Sequence, residues 1–121
     1  MRSDQFTVKA AETLQRGQQM AAGAGHSSFM PLHVLNALLH EENGGVIRPL
    51  LSKAGVPVDR LRRITESELG RLPRVSGGEL VADPKTNEAI EAARKQADRL
   101  KDQYISTEHL LLGLCAVDSP A

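Results

Sequence analysis

The sequence predicts an all-α domain built by tandem duplication, with the second copy shorter than the first. Three observations carry this. Sliding the chain along itself by 76 positions lays FMPLHVLNALL (29–39) under ISTEHLLLGLC (105–115), matching His33 with His109, Leu35 with Leu111 and Leu38 with Leu114. Apolar residues recur at steps of three and four in the longest segment of each copy, as one stripe of a helix requires. Between the copies lies RLPRVSGGELVADP (71–84), with two prolines, two adjacent glycines and no helical period.

The elements follow in order. Phe6, Ala10, Leu14, Gly17 and Ala21 form the stripe of a first long helix. Pro31 starts a shorter helix running to about His40. Val46 to Ala54, stopped by Gly55, and about Val58 to Leu72 give two more. In copy two, Asp83 followed by Pro84 reads as an N-cap and a first-turn proline. Ile90, Ala93, Ala97 and Leu100 make its stripe, and Glu91 with Lys95 is a favourable i,i+4 pair on the wet face. Ser106 and Thr107 start the counterpart of the second helix, which carries LLLGL. Copy one therefore takes residues 1–72, the linker 73–82, and copy two 83–121, together forming one domain. Ala121 falls on Gly45, so copy two has no counterparts of the third and fourth helices, and part of its apolar surface lacks its expected cover.

Composition excludes several functions. Fifteen Lys and Arg are matched by fifteen Asp and Glu, and the aromatics Phe6, Phe29 and Tyr104 are too few for base stacking, which argues against a nucleic-acid partner. The apolar run from Leu110 to Val117 is far short of the roughly 20 residues of a membrane-spanning helix, so no membrane role is expected. Asp4 stands where a signal peptide would need a basic lead into an apolar stretch, and a single cysteine allows no internal disulfide. A cytoplasmic protein is the expectation. GAGHSS (23–28) lacks the spacing and the lysine of a phosphate-binding loop, so no cofactor is expected in this chain. His33 and His40, and likewise His109 and Cys115, miss metal-site spacings. The matched His33 and His109 are expected to be structural, and Cys115 a small core residue rather than a nucleophile. No catalytic residue and no metal site is expected.

The segments MRSDQFTVKA (1–10), PLHVLNALL (31–39), RPLLSKAGV (48–56), RLPRVSG (71–77) and YISTEHLLLGL (104–114) resemble the N-terminal domain of the Clp family of AAA+ chaperones, over essentially the whole chain. RLPRVSG and the PLH form of copy one look most like the ClpB disaggregase branch. The resemblance implies a pseudo-twofold tandem of two four-helix Clp repeats, here truncated after the second helix of the second repeat. It further implies tethering to a hexameric motor that uses ATP and Mg²⁺ in modules beyond residue 121. Such domains capture unfolded or aggregated polypeptide, or dock adaptor proteins, and pass the client to the ring. In the ClpC branch both copies carry T-E-H, whose glutamates help bind phosphorylated arginine. Here copy two keeps Glu108 while copy one has Leu32, which disfavours twin phosphoarginine sites and favours recognition of exposed apolar segments.

Matched residue by residue, the resemblance assigns client contacts to Thr7, Asp102 and Glu108, polar residues bordering an apolar groove between the copies. Leu14, Ile90, Tyr104 and Leu110 are the candidate walls. An apolar concavity with a few polar groups at its rim suits extended polypeptide without sequence selectivity. A plainer reading stands beside this one. Thr7 and Ser106 sit where N-caps are expected, and Glu108 in a first turn is stabilised by the helix dipole.

Overall fold

A computed structural model describes residues 5–41, 45–75 and 78–117. Copy one contributes α1 (Val8–Gly23), α2 (Pro31–Leu39), α3 (Ile47–Lys53) and α4 (Val58–Gly70), and copy two contributes α5 (Pro84–Arg99) and α6 (Thr107–Cys115). The bounds of α5 and α6 are those of α1 and α2 displaced by the 76 residues of the sequence repeat. Local chemistry sets the starts. The Thr7 hydroxyl accepts the Ala10 N–H at 3.1 Å, and the Asp83 carboxylate accepts the Lys85 N–H at 2.8 Å ahead of Pro84. On α5 the direct partner of Glu91 is Arg94, and the Lys95 charge adds the weaker favourable interaction expected of an i,i+4 pair. Glu91 binds Arg94, which also reaches Asp98 at 2.9 Å, because the forked guanidinium spans two carboxylates that a lysine at position 95 meets one at a time. Leu100 lies past the end of α5 as its C-cap and is exposed rather than part of the buried stripe.

The copies are joined by an exchange of strands. β1 (Ser28–Phe29) runs parallel to β2 (Val81–Ala82), with Phe29 opposite Ala82, so the linker carries a strand that its composition did not announce. The reciprocal bridge pairs Phe6 with Ile105. Phe6 and Ala82 are equivalent in the two copies, as are Phe29 and Ile105, so each copy's lead into its first helix pairs with the other's lead into its second. The bonds match too: Asp83 N–H donates to the Phe29 carbonyl at 3.0 Å, and Thr7 N–H to the Ile105 carbonyl at 2.9 Å. Reciprocal pairing of this kind is what a pseudo-twofold relation produces. One core spans both copies, with Phe6, Leu14, Phe29, Leu35 and Leu38 packed with Ala93, Ile105, Leu110 and Leu114.

The symmetry stops at the outer face of the second helix. Every residue of α2 is buried, with α3 and α4 packed against it. On α6 the counterparts of Leu32, Asn36 and Leu39 are Glu108, Leu112 and Cys115, and all three are exposed. Cys115 is therefore not the core residue its apolar helix implied. Its equivalent Leu39 is fully buried, and among the described residues copy two forms no helix equivalent to α3 or α4.

Candidate functional site

The start of α6 is organised by one histidine. Ser106 has extended backbone and its hydroxyl accepts the His109 N–H at 3.4 Å, while the Ser106 N–H donates to His109 Nδ1 at 2.8 Å. With Nδ1 an acceptor, the neutral ring carries its proton on Nε2, which donates to Asp102 Oδ2 at 3.0 Å. This ties the loop after α5 to the first turn of α6. Copy one repeats the device: the Met30 N–H donates to His33 Nδ1 at 2.8 Å, and His33 Nε2 meets His26 Nδ1 at 2.8 Å. His26 stands at the position of Asp102. Burial, reinforced by the neighbouring His26, pushes the His33 pKa down to about 4. Both histidines thus act on the backbone of their own helix start. They accept an amide proton there instead of donating to a carbonyl.

Beside this network a cleft of about 390 Å³ lies on the seam between the copies. Gln5 comes from copy one, and Arg94, Asp98, Asp102, Tyr104 and Ile105 from copy two. Two of its lining residues, Gln5 and Ile105, are tied together across the seam, since Ile105 N–H donates to the Gln5 carbonyl at 2.9 Å. Tyr104 is 47% exposed and offers an aromatic face. Asp102 and Asp98 are carboxylate acceptors, with Arg94 the cation among them.

The seven expected contact residues are thereby sorted. Asp102 and Tyr104 line the seam cleft together. Thr7 is half-buried as the N-cap of α1 and reaches the cleft's edge through its backbone bond to Ile105. Glu108 is exposed in the first turn of α6 and accepts from Thr107 Oγ1 at 3.0 Å, without lining the cleft. Ile90 is half-buried against the core. Leu14 and Leu110 are only 4% and 2% exposed. Both are core residues in this conformation, because the apolar faces of α1 and α6 turn inward, and no client reaches them without opening the domain. Gln5, Arg94 and Asp98 also line the cleft and were not singled out from the sequence. The repeat offset held a usable signal only for His26, which falls on Asp102.

Residues 5–121 match the family model of the Clp repeat (R) N-terminal domain. Chaperone protein ClpB of Rhodopirellula baltica is 40% identical over 121 residues, covering 99% of this chain and 14% of that protein. ClpB of Mycobacterium leprae is 38% identical over 117 residues, with 93% and 13% covered, so the chain spans a small part of the relatives it matches. Among solved structures, the Hsp104 N-terminal domain from Candida albicans superposes with a TM-score of 0.81 at 23% identity, over 90% of this chain and 72% of that one. The ClpV N-domain in complex with a VipB peptide gives a TM-score of 0.79 at 16% identity, over 97% and 74%. Fold and sequence agree: the chain belongs to the Clp repeat N-terminal domain family.

Proposed function

We propose that this domain captures exposed segments of unfolded or aggregated polypeptide for a ClpB-like disaggregase. The observation that carries the reading is the seam cleft, where Tyr104 supplies an aromatic face and Asp102 an acceptor beside the edge of both copies. Such a site suits weak, reversible binding, because a half-exposed aromatic offers apolar area while rim acceptors hold backbone N–H groups. Thr7 and Glu108 add polar contacts outside the lining of the cleft, and Ile90 adds apolar surface of α5. Leu14 and Leu110 belong to the core and make no client contact in this conformation. The domain itself is not the ATPase. In the longer protein a hexameric ring in the cytoplasm, using ATP and Mg²⁺ outside these residues, would take the client onward.

Substitution at the cleft tests this. Tyr104→Ala removes the exposed ring and should weaken binding of a fluorescent, permanently unfolded polypeptide about threefold to tenfold, with an unchanged melting temperature. Unchanged affinity would contradict the reading. A second reading, docking of one defined adaptor, draws on the ClpV N-domain, which has been solved with a VipB peptide. Capture of a single folded protein in fixed stoichiometry, with no affinity for unfolded chains, would favour it.

A further inference from the structure

The two seams that join the copies are equivalent in the repeat but are not equally fastened. At the first, the Phe29 carbonyl accepts both the Asp83 N–H at 3.0 Å and the Thr86 hydroxyl at 2.6 Å, and the Val81 N–H donates to the Ser27 carbonyl at 3.1 Å. At the second, the Ile105 carbonyl accepts the Thr7 N–H at 2.9 Å, but Ala10 stands where copy two has Thr86, so there is no hydroxyl to add a second bond. Among the described residues nothing carries the counterpart of the Val81 bond, which would run from the Gln5 N–H to the Gln103 carbonyl. One seam is paired over two residues, the other at a single bridge. The weaker seam is the one beside the cleft, whose lining includes Gln5 and Ile105.

Local opening begins where the fewest bonds must break. Gln5, Phe6 and Thr7 form a short strap across copy two, tied to Ile105 by two backbone bonds of 2.9 Å. Phe6, 7% exposed, anchors the strap in the core, and that core also holds Leu14 and Leu110. We propose that this strap is a gate on the seam cleft: it lifts from Ile105 while the β1–β2 seam stays closed, and an apolar side chain of the client takes the place that Phe6 leaves. This gating rests on the reading of the cleft as the client site. It supplies apolar area that the closed cleft, with its one aromatic ring, does not. Affinity then follows the fraction of domains that are open, since a site present only in a minor state binds in proportion to that fraction.

Amide hydrogen exchange of the 121-residue chain, corrected for intrinsic rates, reads the opening without any client. Thr7 and Asp83 are equivalent donors, each the N-cap of its copy's first helix, and the Thr7 amide should be protected about tenfold less than that of Asp83. Ala10→Thr puts the copy-two hydroxyl beside the Ile105 carbonyl. It should slow Thr7 exchange about tenfold and weaken binding of a fluorescent, permanently unfolded polypeptide by the same factor. Thr86→Ala strips the hydroxyl from the other seam; it should speed Asp83 exchange and leave that affinity unchanged, and it keeps the test open if Ala10→Thr does not fold. Equal protection of Thr7 and Asp83 in the parent chain would overturn the gate. So would an Ala10→Thr chain that exchanges slowly yet binds as tightly as the parent, or a Thr86→Ala chain whose affinity falls. If the parent shows the exchange asymmetry but binds no unfolded polypeptide, the cleft as client site fails, and with it the client's part in the gate, while the strap's opening stands.

Discussion

The helices α2 and α6 are equivalent in the repeat but are held by different means. α2 is buried along its whole length, with α3 and α4 packed against it, and it starts at Met30 without a side-chain cap. α6 leaves Glu108, Leu112 and Cys115 in solvent and starts at a serine whose hydroxyl caps the first turn. Both starts keep the histidine that accepts the N-cap N–H, so where neighbouring helices supply burial it is only the hydroxyl cap that is dispensable. Where they do not, it carries more of the stability, because short helices are marginal without tertiary packing.

The helix crossings give the largest expected effect. α1 meets α2 through Gly17 and Ala37, whereas α5 meets α6 through their equivalents Ala93 and Gly113, with glycine and alanine exchanged. A Cβ on Gly113 would lie 2.9 Å from the Ala93 nitrogen and closer still to the Ala89 carbonyl oxygen. A Cβ on Gly17 would meet the edge of the Phe29 ring at 3.1 Å and the His33 carbonyl oxygen at 3.3 Å, both less crowded approaches. Gly113→Ala should therefore cost about 3 kcal/mol or more by chemical denaturation, and Gly17→Ala clearly less. Adding Ala93→Gly to Gly113→Ala, which recreates the copy-one arrangement, should return part of the loss.

Acid separates the copies next. His33 is held neutral, with its pKa lowered from 6.5 to about 4, so below pH 6.5 the unfolded chain gains a proton that the folded chain refuses. This stabilisation is present at neutral pH and is lost as pH falls from about 6.5 toward 4, by up to about 3 kcal/mol. His26→Asp gives copy one the carboxylate that Asp102 supplies in copy two, and should reduce that loss by stabilising the imidazolium. An unfolding series over this pH range checks both. A smaller effect is expected at Thr86, fully buried, whose hydroxyl donates to the Phe29 carbonyl at 2.6 Å where copy one has Ala10. Thr86→Ala should cost about 1–2 kcal/mol, since the carbonyl keeps its bond from Asp83. Smallest is Ser106→Ala, about 1 kcal/mol for loss of the cap, with Met30→Ser gaining no more than that.

Much of the helical framework was legible because it is local. The 76-residue offset and the caps at Thr7, Asp83 and Ser106 locate four helix bounds without reference to anything distant in sequence. The strand exchange was not legible, because Val81 and Ala82 become a strand only through β1, and two residues carry no period of their own. Burial was legible only where cover is symmetric. Leu14 looks like a groove wall and Cys115 like core, yet the first faces inward and the second is exposed. The cleft combines Gln5 with Arg94 and Asp98, residues separated by most of the chain, and no spacing rule joins them. Asp102 and Tyr104 were reachable through the family resemblance.

The central claim is that the seam between the copies receives unfolded polypeptide. Its most direct test is a chemical-shift titration of the isotope-labelled chain with a reduced, alkylated, permanently unfolded polypeptide. Perturbation centred on Thr7, Asp102, Tyr104 and Glu108 is the predicted result. A silent seam, with shifts absent or confined to α3 and α4, would contradict it.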